Sequence, residues 1–459
     1  MSNLHTVILD GSLSEDVISE PILILLSEVL RQCGAGKVKT FKLRNIRLNH
    51  CIGCFDCWLK TPGQCVHNKD KGAEILQAIL NSDRVVLFTP IVFGGYSSEL
   101  KKVIDRLLPT VLPFFKKAHG ETHHPPRYPD FPHIIGIGVH PAPDKDLSEC
   151  FKALVGRNAL NLPPSHYCAE VINSTKDSPK ELRERFHALL SRTDKPPLST
   201  ELNAIFQNIT PTVTAPTRNQ RVLLITGSQK SNNISTSSVL GGYLIKKFKK
   251  QNFETESVNL QGALNDKQQR HLCLAVDRAD TVLLASPLYF DSLPFLVTKA
   301  FEVIASHRKN VTNGRPKIFL AVINNGLPES YQNTVAFAIC RNFALESGML
   351  WAGGLAMGTG EGLISGKSPA GLKGFGSFKR PPLFYVLKAL KMTASAVAKG
   401  YPVPEQAVQL IAKRPVPFIS WDSWRTYVIK TSKRLLEEEA VKNGLRVEEM
   451  FKRPYKKNK

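Results

Sequence analysis

Residues 221–228 read RVLLITGS, and residues 6–12 read TVILDGS. Each is a nearly unbroken apolar run that stops at Gly-Ser. A strand with one wet face alternates apolar and polar residues, whereas continuous runs like these belong to strands covered on both faces. Four further runs have the same character: RVVLF (84–88), HIIGIGV (133–139), TVLLA (281–285) and KIFLAVI (317–323). Between them, EPILILLSEVLRQC (20–33) and SSVLGGYLIKKFKK (237–250) carry apolar residues at helical spacing, the second with lysines on its other side. Strand–helix alternation of this kind predicts an α/β fold with doubly wound parallel sheets.

The pattern is written twice. Each half opens on a strand running into Gly-Ser. Each later has a strand ending in Thr/Ser-Pro, an apolar stretch and a helix: TPIVFGGYSSELKKVIDRL (89–107) and SPLYFDSLPFLVTKAFEVI (286–304). Ser12 and Pro90 are 78 positions apart, Ser228 and Pro287 are 59 apart, and the difference of 19 is close to the 20 residues from Cys51 to Asp70. The first copy therefore reads as the second with a cysteine loop inserted. Pro- and Thr-rich segments bracket the join. The expected division is a first α/β domain over 1–195, a linker over 196–218, a second α/β domain over 219–365 and a basic helical extension over 366–459. Helices are expected at 383–399 and 422–442, the first packed on its own domain.

A chain of 459 residues fits two or three domains at about 150 residues each. Hydrophobic residues make up 42% and charged residues 22%, which excludes a disordered chain. No apolar run reaches the roughly 18 residues of a membrane-spanning helix. The start, MSNLHTVILDGS, lacks a basic n-region and h-region and points to a cytoplasmic protein. The net charge is +22, and residues 371–459, with 19 Lys and Arg against 7 Asp and Glu, supply +12 of it. No nucleic-acid-binding signature accompanies this segment. It reads as a solvated basic face, with nucleic acid and an anionic membrane surface as the alternatives.

Ligands of open parallel sheets sit at the carboxyl ends of the strands. In the second copy that edge carries GSQKSNNISTSS (227–238), where Gly227, Ser228, Lys230, Asn232, Ser235 and Thr236 precede a helix N-terminus and suit a phosphate. Ser286, Pro287, Leu288, Tyr289 and Phe290 offer an apolar wall for a flat heterocycle. Asn325 and Gly326, in NNGLPES (324–330), form a third loop at the same edge. Phosphate at one loop and a ring at the other two describe a mononucleotide. The matching positions of the first copy are Gly11, Ser12, Thr89, Pro90, Ile91, Val92, Phe93 and Gly94. There Glu15 and Asp16 stand where the second copy has Lys230 and Ser231, and each would repel a phosphate by about 1 kcal/mol near a surface.

These motifs resemble the flavodoxin-like NAD(P)H-dependent FMN reductase and oxidoreductase family, over most of residues 4–365. The resemblance implies FMN on tandem flavodoxin-like sheets, with NAD(P)H reducing the flavin and electrons passing to a quinone or another small acceptor. The flavin carries the chemistry, so no catalytic side chain is required. The alternative is a non-enzymatic electron carrier or redox sensor. Family members usually dimerise, and a tandem chain leaves both a homodimer and an internal pseudo-dimer open.

The inserted loop reads CIGCFDCWLKTPGQC, with Cys51, Cys54, Cys57 and Cys65 spaced C-x2-C-x2-C-x7-C. Three cysteines within seven residues favour an iron–sulfur cluster over structural zinc. The spacing resembles the compact motif of iron–sulfur flavoproteins, which implies [4Fe–4S]; free or redox-active thiols stay open. Cys33, Cys150, Cys168, Cys273 and Cys340 read as core residues, and His123 and His124 as exposed in a Pro-rich loop.

Overall fold

In a computed structural model, residues 4–13, 18–67, 69–199, 201–202, 206, 209–213, 220–228, 235–262, 264–309, 317–364, 383–416 and 418–455 are described. They divide into two compact units. One comprises Met1–His119, His123–Leu202 and Thr431–Lys459; the other comprises Gly120–Thr122 and Asn203–Lys430.

The first unit is built on five strands: β1 Leu4–Asp10, β2 Ala35–Lys42, β3 Arg84–Pro90, β4 His133–His140 and β5 Tyr167–Asn173. All pair in parallel, in the order β2-β1-β3-β4-β5. Because successive side chains of a strand face opposite ways, each apolar run feeds two cores. Ile8, Val86, Phe88, Ile135 and Ile137 join one face with α1 Ser19–Gln32 and α6 Pro179–Ser191. Leu9, Val85 and Leu87 face the opposite way, toward Ile79 of α3 Gly72–Leu80 and Ile104 of α4 Ser98–Asp105. α5 Lys145–Asn161 lies against β4 and β5. A short helix, α2 Asp56–Leu59, sits in the inserted loop.

The second unit repeats this plan with β6 Arg221–Thr226, β7 Glu254–Asn259, β8 Thr281–Pro287, β9 Lys317–Asn324 and β10 Met349–Met357. They are again all parallel, in the order β7-β6-β8-β9-β10. The sheet is flanked by α7 Thr236–Lys249, α8 Asp266–Arg278, α9 Phe295–Arg308, α10 Thr334–Glu346 and the short α11 Gly360–Ile364. Phe301 and Phe343 stack at 3.7 Å beneath Phe319, giving one face an aromatic core.

The other face holds a finding about residues 366–459, which the sequence set apart as one extension. α12 Phe384–Ala398 and α13 Glu405–Ile411 bury Val386, Leu390, Val397 and Leu410 in the same core as Leu224, Leu283 and Leu244. α12 touches α7 as α6 touches α1. Ala440, in α14 Trp421–Lys442, and Met450, beyond it, form a buried cluster with Leu112 and Phe114 of the first unit. The segment is thus shared between two cores. Among the described residues, no helix is long and apolar enough to cross a membrane.

Candidate functional site

The strand tips of the two units carry one backbone design. Gly227 N–H donates to Ala285 O at 2.8 Å, and Gly11 N–H donates to Phe88 O at 2.8 Å. Leu288 N–H meets Asn324 O at 2.9 Å, and Ile91 N–H meets Val139 O at 2.8 Å. Tyr289 and Ser292 exchange backbone bonds of 2.8 and 3.1 Å, as Val92 and Gly95 exchange bonds of 3.0 and 2.8 Å. Each turn is closed by two residues with positive φ: Phe290 (46°) and Asp291 (57°), or Phe93 (55°) and Gly94 (84°). Two-residue turns of this hand need that backbone region. The Gly-Ser corners are glycine for a steric reason. A Cβ on Gly227 would lie 2.4 Å from Val297 Cγ2, and one on Gly11 would lie 2.7 Å from Leu100 Cβ.

What the tips present differs. In the second unit Pro287, Leu288, Tyr289 and Phe290 are half-buried, leaving apolar surface open. Beside them a Cβ added to Gly326 would meet only open space. Asn325 is buried and its Nδ2 donates to Glu329 O at 3.0 Å, while its Oδ1 has no partner among the described residues. An unpartnered amide oxygen at an open strand edge suits a ring N–H donor. Ser228 and Ser286 are buried, and Ser286 Oγ donates to Pro287 O at 2.9 Å. Ser235 caps α7, accepting from Ser238 N–H at 3.1 Å, and Thr236 Oγ1 donates to Gly360 O at 3.1 Å. Lys230 and Asn232 lie outside the described residues.

The first unit's tip is closed. Ile91, Phe93 and Gly94 are buried, Val92 and Pro90 half-buried, and Thr89 Oγ1 accepts from Ser97 N–H at 3.1 Å. Asp10 is fully buried, paired with Arg44 at 2.9 Å, and accepts the Ser12 N–H at 3.0 Å. The amide expected to face a phosphate therefore serves a carboxylate of the chain itself. Arg44 also reaches Glu20, whose carboxyl is held below its ordinary range by its bond to Lys42. Glu15 and Asp16 lie outside the described residues.

One further carboxylate orders the second unit's third loop, and the sequence reading did not single it out. Glu329 is fully buried and takes Arg425 Nε at 2.5 Å and Thr122 Oγ1 at 2.9 Å. Burial opposes the Arg425 charge, but the Glu329 bond prevails and raises its pKa. Its partners lie 96 and 207 positions away, so no local motif announces it.

The cysteine loop fills residues 43–71, between β2 and α3. Its base is closed by Arg106, which donates to Asn49 O at 2.7 Å, Asp70 Oδ2 at 2.8 Å and His67 O at 3.1 Å. Burial alone would raise the Asp70 carboxyl; the Arg106 bond and the Asn49 and Gly72 amides hold it below its usual range. Phe55, at φ 61°, starts α2 and stacks on Trp58 at 5.2 Å. Trp58 Nε1–H donates to Val111 O at 2.9 Å. Cys57 is buried, Cys51 and Cys65 half-buried, and Cys54 exposed. Burial pushes the Cys51 thiol up to about 12 and raises Cys57 well above the ordinary thiol range. The donor chemistry suits a cluster, but among the described residues no three Cys, His, Asp or Glu side chains are gathered closely enough to hold a metal ion.

Two smaller expectations also change. His123 is buried and meets Asn161 Oδ1 at 3.1 Å; His124 is half-buried and lies 5.0 Å from the Trp58 ring, so neither is an exposed loop residue. Cys33 is half-buried beside His187 at 3.2 Å, while Cys150, Cys168, Cys273 and Cys340 are buried as expected.

Residues 4–120 match the NADPH-dependent FMN reductase family. This FMN reductase match falls on the first unit and includes the cysteine loop. Over 93 residues the chain is 34% identical to an iron-sulfur flavoprotein of Methanocaldococcus jannaschii, spanning 20% of this chain and 47% of that protein. Over 73 residues it is 32% identical to an iron-sulfur flavoprotein of Archaeoglobus fulgidus, spanning 16% and 32%. The chain thus spans less than half the length of these relatives. Among solved structures, an NAD(P)H:quinone oxidoreductase from Methanothermobacter marburgensis is similar with a TM-score of 0.33 and 13% identity, over 42% of this chain and 100% of that one. An FMN-dependent NADH-azoreductase from Bacillus anthracis is similar with a TM-score of 0.30 and 14% identity, over 40% and 94%.

Proposed function

We propose that this chain is a flavin-dependent oxidoreductase that draws electrons from NAD(P)H through FMN and delivers them to a small acceptor such as a quinone. The match of residues 4–120 to the FMN reductase family carries the reading. The repeated strand-tip design supports it in both units. The second unit's tip fits the cofactor better, because it combines open apolar surface at Leu288, Tyr289 and Phe290 with the unpartnered Asn325 Oδ1. Gly227, Ser228, Lys230, Asn232, Ser235 and Thr236 would take the phosphate, and Gly326 leaves room beside the ring. Bound FMN would supply hydride acceptance and one- or two-electron transfer. The chain's own part is to hold the ring edge, exclude water with the half-buried aromatics and neutralise the phosphate with Lys230.

The test is a visible absorption spectrum of the purified protein, followed by FMN titration and NAD(P)H oxidation with a soluble quinone. Flavin bands and quinone-dependent turnover are expected; a colourless protein that takes up no FMN ends the proposal. Lys230→Glu should weaken FMN retention by about tenfold or more. Unchanged retention in that variant would move the flavin to the first unit's tip.

A second reading, an electron carrier without NAD(P)H turnover, draws on the relatives' iron–sulfur flavoprotein names and on Cys51, Cys54, Cys57 and Cys65. It predicts iron and acid-labile sulfide in anaerobically purified protein and no NAD(P)H oxidation without a partner protein.

A further inference from the structure

The cysteine loop is covered by a segment nearly 400 positions further along the chain. Gly63, at φ +81°, sits so close to this segment that a Cβ would lie 2.7 Å from Pro454 Cδ and 3.1 Å from Lys452 O. Arg127, 1% exposed, anchors the cover from below: its Nη1 donates to Met450 O at 2.5 Å and to Lys452 O at 2.9 Å, and its Nε donates to Pro109 O at 2.8 Å. Arg453 Nε returns a bond to Arg127 O at 2.8 Å. Tyr455 is fixed at both backbone ends, by its N–H to Tyr128 Oη at 3.3 Å and by its carbonyl to Asn81 Nδ2 at 3.1 Å. Phe451 stacks on Phe114 at 5.4 Å. Tyr455 then forms a wall of a cavity of about 320 Å³, whose other sides include Thr61, Gln64, Cys65, His67 and Arg106.

We infer that residues 452–455 are a strap over the cysteine loop that narrows the approach to half-buried Cys65, so that a reagent or redox partner reaches this thiol faster when the strap is displaced. The chemistry fits that role. The buried Arg127 guanidinium holds the strap by a charge-assisted bond to Lys452 O, stronger than a neutral pair, and its bond to Met450 O fixes the chain just before the strap. The strap's own side chains, by contrast, contribute little to the buried cluster around Met450. It can therefore open locally without unfolding the unit, at a free energy below that of global unfolding. The inference is independent of whether flavin binds.

Maleimide alkylation mapped residue by residue tests it, on the full chain, on a chain ending at Phe451 and on Tyr455→Ala. The shorter chain keeps Met450 in its cluster. In the full chain Cys54 should label first, Cys65 slowly and buried Cys150 not at all. In both variants Cys65 labelling should rise by about fivefold or more, with Cys150 still silent. If Cys150 labels in the shortened chain, that chain has lost its fold and Tyr455→Ala alone decides. A Cys65 rate unchanged in Tyr455→Ala, and in a shortened chain whose Cys150 stays silent, overturns the strap.

Discussion

Asp10 shows what one side chain does to a strand tip. It is a buried carboxylate whose charge is met by Arg44 and by the Ser12 amide, and removing the cation leaves it stranded. Breaking a buried pair from one side costs more than the pair contributes. Arg44→Ala should therefore lower the first unit's stability by about 3 kcal/mol in urea denaturation. His124 gives a pH signature. Burial holds its pKa at about 4 against an ordinary 6.5, and its Nδ1–H donates to Leu112 O at 2.9 Å and Phe114 O at 3.0 Å. The unfolded chain takes up a proton near pH 6.5 that the folded chain refuses until about pH 4. Stability from this group is thus fully present above pH 6.5 and falls as the pH drops toward 4, by at most about 1.4 kcal/mol per pH unit. Urea midpoints at pH 7 and pH 5 should draw closer together in His124→Gln. The Asp10–Arg44 pair was not legible in the sequence, because its partners lie 34 positions apart with no motif linking them. The candidate ring wall at Leu288–Phe290 was legible, since it follows directly from the strand before it.

At the scale of elements, the central strands were readable and the outer ones were not. β1, β3, β4, β6, β8 and β9 are buried on both faces, so their runs are continuous. β2 reads AGKVKTFK and β7 reads ETESVN, both half-exposed at a sheet edge, where polar residues break the run. β5 is mostly buried, but Glu170, paired with Arg185 and Arg192, interrupts it. The turn between strand and helix was visible as a repeated motif, though its hand was not. In the first unit the turn depends on Gly94 at φ 84°. A β-branched residue is poorly tolerated there, so Gly94→Val should cost roughly 2 kcal/mol, measured as a lowered urea midpoint, with the second unit's transition unmoved.

The whole molecule is two units built on sheets of one topology, and the first unit is discontinuous in sequence, completed by Thr431–Lys459. Its boundary could not be read from composition: residues 431–459 look like a solvated basic tail, yet Ala440 and Met450 are buried against Leu112 and Phe114. Ending the chain after Lys430 should lower the first unit's unfolding midpoint by the equivalent of roughly 3 kcal/mol and leave the second unit's transition in place. Two resolved transitions in calorimetry, of which only one shifts, would show it; a common shift would contradict it. The same discontinuity orders events on the ribosome. At about 5–20 residues per second, Met450 emerges roughly 15–70 s after Phe114. The unit translated first is thus the last to be completed, and during that interval its thiol loop has no cover and stands open to oxidants of the cell.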